Sequence, residues 1–143
     1  MPVKTSKRPD ASTCACPACP CCSGLAYAAC CGHFHQGAPV PTAGQLMRAR
    51  YSAYVLHDHA FILSSWHPDT RPSVEEAGPD SQTRWLGLEV RQQTESGDTA
   101  TVEFVARYKI GGRAQRLHEV SRFVREGGWW FYADGSFPKE QEQ

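Results

Sequence analysis

All seven cysteines of this 143-residue chain fall between Cys14 and Cys31, and no other part of it carries one. Sulfur confined in this way serves something local instead of stapling a whole fold, and an odd count suits a disulfide framework badly. The opening stretch, with Lys4, Lys7 and Arg8, leads into no apolar run of the kind a secretory signal needs. No segment is long and apolar enough to cross a bilayer. A cytoplasmic location is therefore expected, where thiols stay reduced and clustered cysteines are more often metal ligands than disulfides.

Cys19 and Cys21 form one tight pair and Cys30 and Cys31 a second. Between them, Ser23-Gly24 can cap a short helix over about Leu25 to Ala29, which delivers Cys30 and Cys31 at its end, with Gly32 at a left-handed exit. Four thiolates close a tetrahedron around zinc and leave no position for water, the arrangement of a structural site. The helix N-terminus and the amides around Cys22 to Gly24 offset repulsion among the sulfurs. One structural Zn²⁺ on Cys19, Cys21, Cys30 and Cys31 is the expectation, with Cys22 a bystander. Cys14 and Cys16 stay open between free thiols, alternative ligands and a mispaired cluster formed under oxidation. His33 and His35 lie close enough to replace Cys31, although surface histidines are the plainer account.

Beyond this segment the composition is that of a globular domain: hydrophobic residues are 41% and charged residues 21%, with fifteen Lys+Arg against fifteen Asp+Glu. That balance gives no support to a phosphate-gripping, nucleic-acid-binding surface. Residues 1–18 read as a flexible tail, 19–35 as the zinc knuckle, 36–138 as the main domain and 139–143 as a disordered end. Pro39 and Pro41 make a stiff connector. Thr42 and Gln45 form a capping box, after which Met47, Tyr51, Tyr54 and Val55 recur at helical spacing to about His57. Asp58 can cap a second helix over His59 to Trp66, stopped by Pro68, and Ser73 to Glu76 can start a further turn.

From Thr83 the period changes to that of strands. Leu86, Leu88 and Val90 alternate against Trp85, Gly87 and Glu89, then Val102, Phe104, Ala106 and Tyr108 follow after a turn at Ser96-Gly97-Asp98. A third strand runs through Val120 and Val124, and Gly127-Gly128 leads to a fourth at Trp129 to Tyr132. Helices followed by a hairpin-linked antiparallel sheet make an α+β fold, because the sheet needs helices to cover one face. No nucleophile elbow, Gly-rich phosphate loop or HExxH helix occurs, so the common hydrolase, nucleotide and metalloprotease signatures are missing.

The run Cys19-Pro-Cys21-Cys22-Ser23-Gly24 through Tyr27 to Cys30-Cys31-Gly32 resembles the SEC-C motif, a zinc-binding element first associated with the bacterial preprotein translocase ATPase, whose usual form has Gly where this chain has Cys22. The resemblance implies docking to a protein or ribosome-associated partner. Leu46 to Tyr54, Trp66-His67-Pro68, Trp85 to Leu88, Phe104 to Tyr108, Glu119 to Phe123 and Trp130 to Gly135 together look like the YchJ family (UPF0225). That family is similar to the NTF2-like fold, also described as a cystatin-like cone, in which a curved sheet wraps helices around a cavity.

Such a curved sheet would bring Arg50, Tyr54, Trp66, His67, Trp85, Arg107, Glu119, Ser121, Tyr132 and Asp134 together as a cavity. Plainer uses exist for several: an Arg50–Glu119 ion pair, His67 as a helix C-cap, and tryptophans as core. His67 with Glu119 or Asp134 would suit proton transfer. The favoured reading is a non-enzymatic adaptor that docks a protein or ribonucleoprotein partner through its knuckle, with no membrane. The alternative is an NTF2-like domain that binds or transforms a small molecule, as an isomerase, dehydratase or hydrolase would, with structural zinc. A third use of the metal is to clamp the N-terminus onto the body.

Overall fold

The computed structural model describes residues 18–73 and 83–138. Helices come first and strands second: a 3₁₀ turn at Tyr27–Ala29, α1 at Cys31–His35, α2 at Ala43–Leu56 and α3 at His59–Ser64, then β1 at Thr83–Ser96, β2 at Thr99–Ile110, β3 at Arg113–Glu126 and β4 at Trp129–Ser136. The four strands form an antiparallel meander in chain order. Helix α2 lies across its inner face against β1, β2 and β4. None of the described helices is long and apolar enough to cross a membrane. Residues 1–17, all but Ser73 of the turn foreseen over Ser73 to Glu76, and the 139–143 end lie outside the described residues; Ala18, assigned to the tail, bridges Ala26.

Thr42 caps α2, its hydroxyl oxygen accepting from the Gln45 amide at 3.1 Å. The reciprocal half of the capping box is not made; the Thr42 hydroxyl instead donates to Gln45 Oε1 at 3.0 Å. The helix ends at His57, which is left-handed at φ 60. It buries nearly its whole circumference, because residues on one side face the sheet while Ala49 and Ser52 meet the cysteine segment. Asp58 caps α3 through Phe61 N at 3.1 Å. That helix stops two residues earlier than the spacing predicts, and Ser65 to His67 run alongside β4: Tyr132 N donates to Ser65 O and His67 N to Tyr132 O, both at 2.8 Å. This added edge is what seats Trp66 on Tyr132.

Strand β1 corrects a phase. Pairing shifts between Trp85 and Gly87, so Leu86 is bulged out and Trp85 shares the inner face with Leu88. Trp85 then packs among Tyr51, Tyr54 and Tyr108 at centroid distances of 5.7, 6.1 and 5.3 Å. On β2, Val102, Phe104 and Ala106 are buried as foreseen, although Val105 between them is fully buried too. The core runs from Leu46 and Met47 through Phe123 to Trp130 and includes Cys19, Cys21 and Cys31. Each large apolar side chain buried there contributes about 1.5–3 kcal/mol.

Candidate functional site

The sulfurs of Cys19, Cys21, Cys30 and Cys31 all lie within 4.8 Å of one another. The Cys21–Cys30 and Cys30–Cys31 separations are 3.6 and 3.9 Å, close to the spacing of about 3.8 Å that a tetrahedral metal with 2.3 Å bonds to sulfur imposes. An all-thiolate set of this geometry fits a soft divalent ion and closes its coordination sphere. The local chain differs from the sequence-based picture. The expected helix over Leu25 to Ala29 is only the 3₁₀ turn, and Cys31 opens α1 instead of closing a helix. Gly32 is inside α1, not at a left-handed exit; a side chain there would collide with the ring and carbonyl of Tyr27. Cys22 does adopt the left-handed backbone, at φ 69. Glycine enters that region without penalty, which accounts for the motif's usual residue at this place.

Outer contacts hold the sulfurs. Ser52 Oγ is 3.4 Å from Cys19 Sγ, Ser23 Oγ is 3.2 Å from Cys30 Sγ, and Arg48 donates to the Cys21 carbonyl at 2.7 Å. Cys19 is pushed far below the usual thiol range by hydrogen bonds from Cys21 and Cys31. The same contact with Cys19 pushes Cys21 and Cys31 up. Neighbouring sulfurs thus resist ionising together, and four thiolates so packed would concentrate negative charge that a divalent cation neutralises. His33 is exposed, as foreseen, but His35 is not a surface residue. Its side chain is 4% exposed, with Nε2 on the Ala49 carbonyl at 2.8 Å and Nδ1 on the Tyr27 hydroxyl at 2.6 Å. It ties the cysteine segment to α2 and leaves the metal position to sulfur.

A second centre is a cavity of about 240 Å³ between α2 and the sheet. Of the ten residues expected there, Arg50, Tyr54, Trp66, Trp85, Glu119, Ser121 and Tyr132 line it. His67, Arg107 and Asp134 do not. Arg107 is on the outer sheet face because its neighbours Ala106 and Tyr108 face inward. His67 is turned to Glu126, with Nε2 to Oε2 at 2.9 Å, and Asp134 pairs with Arg122 at 2.6 Å. The acid–base pairs of His67 with Glu119 or Asp134 are therefore not formed. Phe104, Ala106, Leu117 and Phe123 complete the wall with Met47 and Tyr51; the inward register of β2 and β3 was the available signal for them.

Arg50 and Glu119 do not form the direct ion pair anticipated. Arg50, 6% exposed, donates from Nη1 to the Ile62 carbonyl at 2.9 Å and Ser65 Oγ at 2.7 Å. Its guanidinium lies over Tyr132 at 4.4 Å and Trp66 at 4.9 Å. Burial lowers its pKa, and the negative ends of Tyr54, Tyr132 and Glu119 oppose that shift. Glu119, 7% exposed, receives hydrogen bonds on Oε2 from Ser121 at 2.9 Å and Tyr132 at 2.8 Å. Tyr132 thus joins the two charges, its ring under the cation and its hydroxyl on the carboxylate. Burial and Glu119 together push its phenol well above the usual range. The arrangement is an aromatic-walled chamber with one cation and one oriented carboxylate in its wall.

Comparison with known proteins matches residues 42–135 to the model of the YchJ middle NTF2-like domain. A UPF0225 protein of Ralstonia nicotianae is 58% identical over 130 residues, spanning 82% of this chain and 90% of that protein. The solution structure of a SEC-C motif containing protein from Rhodopseudomonas palustris superposes with a TM-score of 0.70 at 31% identity, covering 82% of this chain and 95% of that one. The crystal structure of a SEC-C motif containing protein from Psychrobacter arcticus gives 0.69 at 31%, covering 92% and 86%. The cone with its cavity, the four clustered cysteines and these likenesses agree: the chain belongs to the YchJ, or UPF0225, family, an α+β NTF2-like domain preceded by a SEC-C-type cysteine cluster.

Proposed function

We propose that this protein binds a small molecule in the cone cavity, while zinc on Cys19, Cys21, Cys30 and Cys31 fixes the N-terminal knuckle to the cone. The observation that carries the reading is the chamber itself: aromatic walls with a buried Arg50 and Glu119 that are not spent on each other. A fold under selection for stability alone fills such a space with aliphatic side chains, since buried charges that lack a direct partner cost several kcal/mol. Zinc suits the donor set because four thiolates are the usual ligands of its structural sites. The boundary between knuckle and cone is placed at 35/36 in this proposal, with the two units sharing one core.

Docking of a protein or ribosome-associated partner is the second reading. The 55% exposed Leu25, with Ala26, Ala28 and Ala29 also exposed, gives the knuckle a small apolar surface. The cavity reading is tested by filling the chamber. Ala106 lines it and is 1% exposed, so Ala106→Phe should occupy the space a ligand needs. Protein isolated gently from its host and analysed by mass spectrometry should release a small molecule from wild type that the variant, if folded by circular dichroism, does not carry. Identical small-molecule profiles would count against the cavity as a binding site.

A further inference from the structure

Resting on the reading of the cavity as a ligand site, we propose that its occupant is an uncharged cyclic molecule bearing a hydroxyl group, which donates a hydrogen bond to Glu119 Oε1. The argument begins with charge. Arg50 and Glu119 stand in the same wall. An anionic ligand would confront the carboxylate and a cationic one the guanidinium, each in surroundings where charges are poorly screened. Arg50 is not offered as an anion clamp either. Its Nη1 is committed to Ile62 and Ser65, and its face is covered by Trp66 and Tyr132.

What the wall offers such an occupant is an oriented acceptor. Both hydrogen bonds to Glu119 arrive at Oε2, and none from a described residue reaches Oε1. A hydroxyl is the simplest uncharged group that gives a hydrogen bond to such an oxygen. The flat rings of Tyr51, Trp85 and Phe104 around the remaining space favour a compact ring as the rest of the molecule.

The test uses full-length, ¹⁵N-labelled protein titrated in parallel with 4-methylphenol, toluene and 4-methylbenzoate, which share one shape and differ in the polar group. The Trp66 indole N–H signal is assigned with Trp66→Phe. We expect 4-methylphenol to bind about tenfold more tightly than toluene, the worth of one well-made hydrogen bond, with the indole signal of the wall residue Trp66 reporting occupancy of the cavity. Glu119→Gln should weaken 4-methylphenol and leave toluene unchanged. Equal affinity for 4-methylphenol and toluene overturns the proposal while leaving the cavity reading intact. Tightest binding of 4-methylbenzoate overturns it in favour of an anion site on Arg50. If none of the three perturbs the cavity residues, both the proposal and the ligand-site reading fall.

Discussion

Gly135 shows how tightly one residue can be constrained by another that is remote in sequence. A side chain there would overlap the Glu119 carboxylate and crowd the Tyr132 hydroxyl, so the smallest residue on β4 makes room for the oriented acid on β3. The buried tyrosines extend the same logic to protonation. Burial pushes the phenols of Tyr51 and Tyr132 above their ordinary value, and for Tyr132 the neighbouring Glu119 adds to it. Because the folded pKa is raised, the neutral form is favoured by folding, and this stabilisation is complete below the unfolded-state value of about 10. It is lost as pH rises through the higher folded values. A spectrophotometric titration at tyrosinate wavelengths should therefore show two phenols ionising late, with unfolding free energy declining above about pH 10, and Tyr132→Phe should remove one of them. Full ionisation at the ordinary value, with Tyr132→Phe indistinguishable from wild type, would refute the buried hydrogen-bonded arrangement.

Helix α2 is the element on which both centres depend. Ser52 and Arg48 reach the cysteines from one side, Ala49 receives His35, and Arg50 with Met47 and Tyr51 faces the cavity from the other. An amphipathic stripe was expected because Met47, Tyr51, Tyr54 and Val55 recur at helical spacing. The observed burial is wider, since small residues, Ala43, Gly44, Ala49, Ser52 and Ala53, let neighbours approach where a stripe pattern reads only large apolar groups. Loss of the metal should consequently be felt in the helix. The double substitution Cys19→Ser with Cys30→Ser is expected to reduce bound zinc from about one per chain to none. Amide exchange should then quicken around Ala49 to Ser52, while β2 and β3 retain their protection. Unchanged zinc content would dispose of the ligand assignment, and unchanged exchange in α2 would dispose of the coupling.

At the scale of the molecule, Cys19, Cys21 and Cys31 belong to the same buried cluster as Leu46, Met47 and Trp130. The knuckle is therefore part of the core and not a pendant. Deleting residues 1–38 should strip that cover, at a cost of at least about 2–3 kcal/mol for the apolar groups exposed, which lowers the thermal midpoint by about 10 °C or more in a domain of this size. Circular dichroism melting of the truncated chain decides it: a midpoint matching that of the full chain would restore the picture of an independent appendage. What the sequence by itself determined follows from short-range rules. Thiol spacing marks the four sulfurs, Thr42 and Asp58 mark where helices start, and alternation marks β2 with its turns, because each is decided within a few residues by capping, pleat or ligand distance. What only the tertiary structure decided depends on register and approach between distant segments. The bulge at Leu86 turns Trp85 inward, the run of Ser65 to His67 along β4 seats Trp66 and sends His67 to Glu126, and the crossing of α2 over the sheet sets Arg50 on Tyr132 instead of Glu119. No local pattern encodes these, since a one-residue shift between elements reverses which face a side chain occupies.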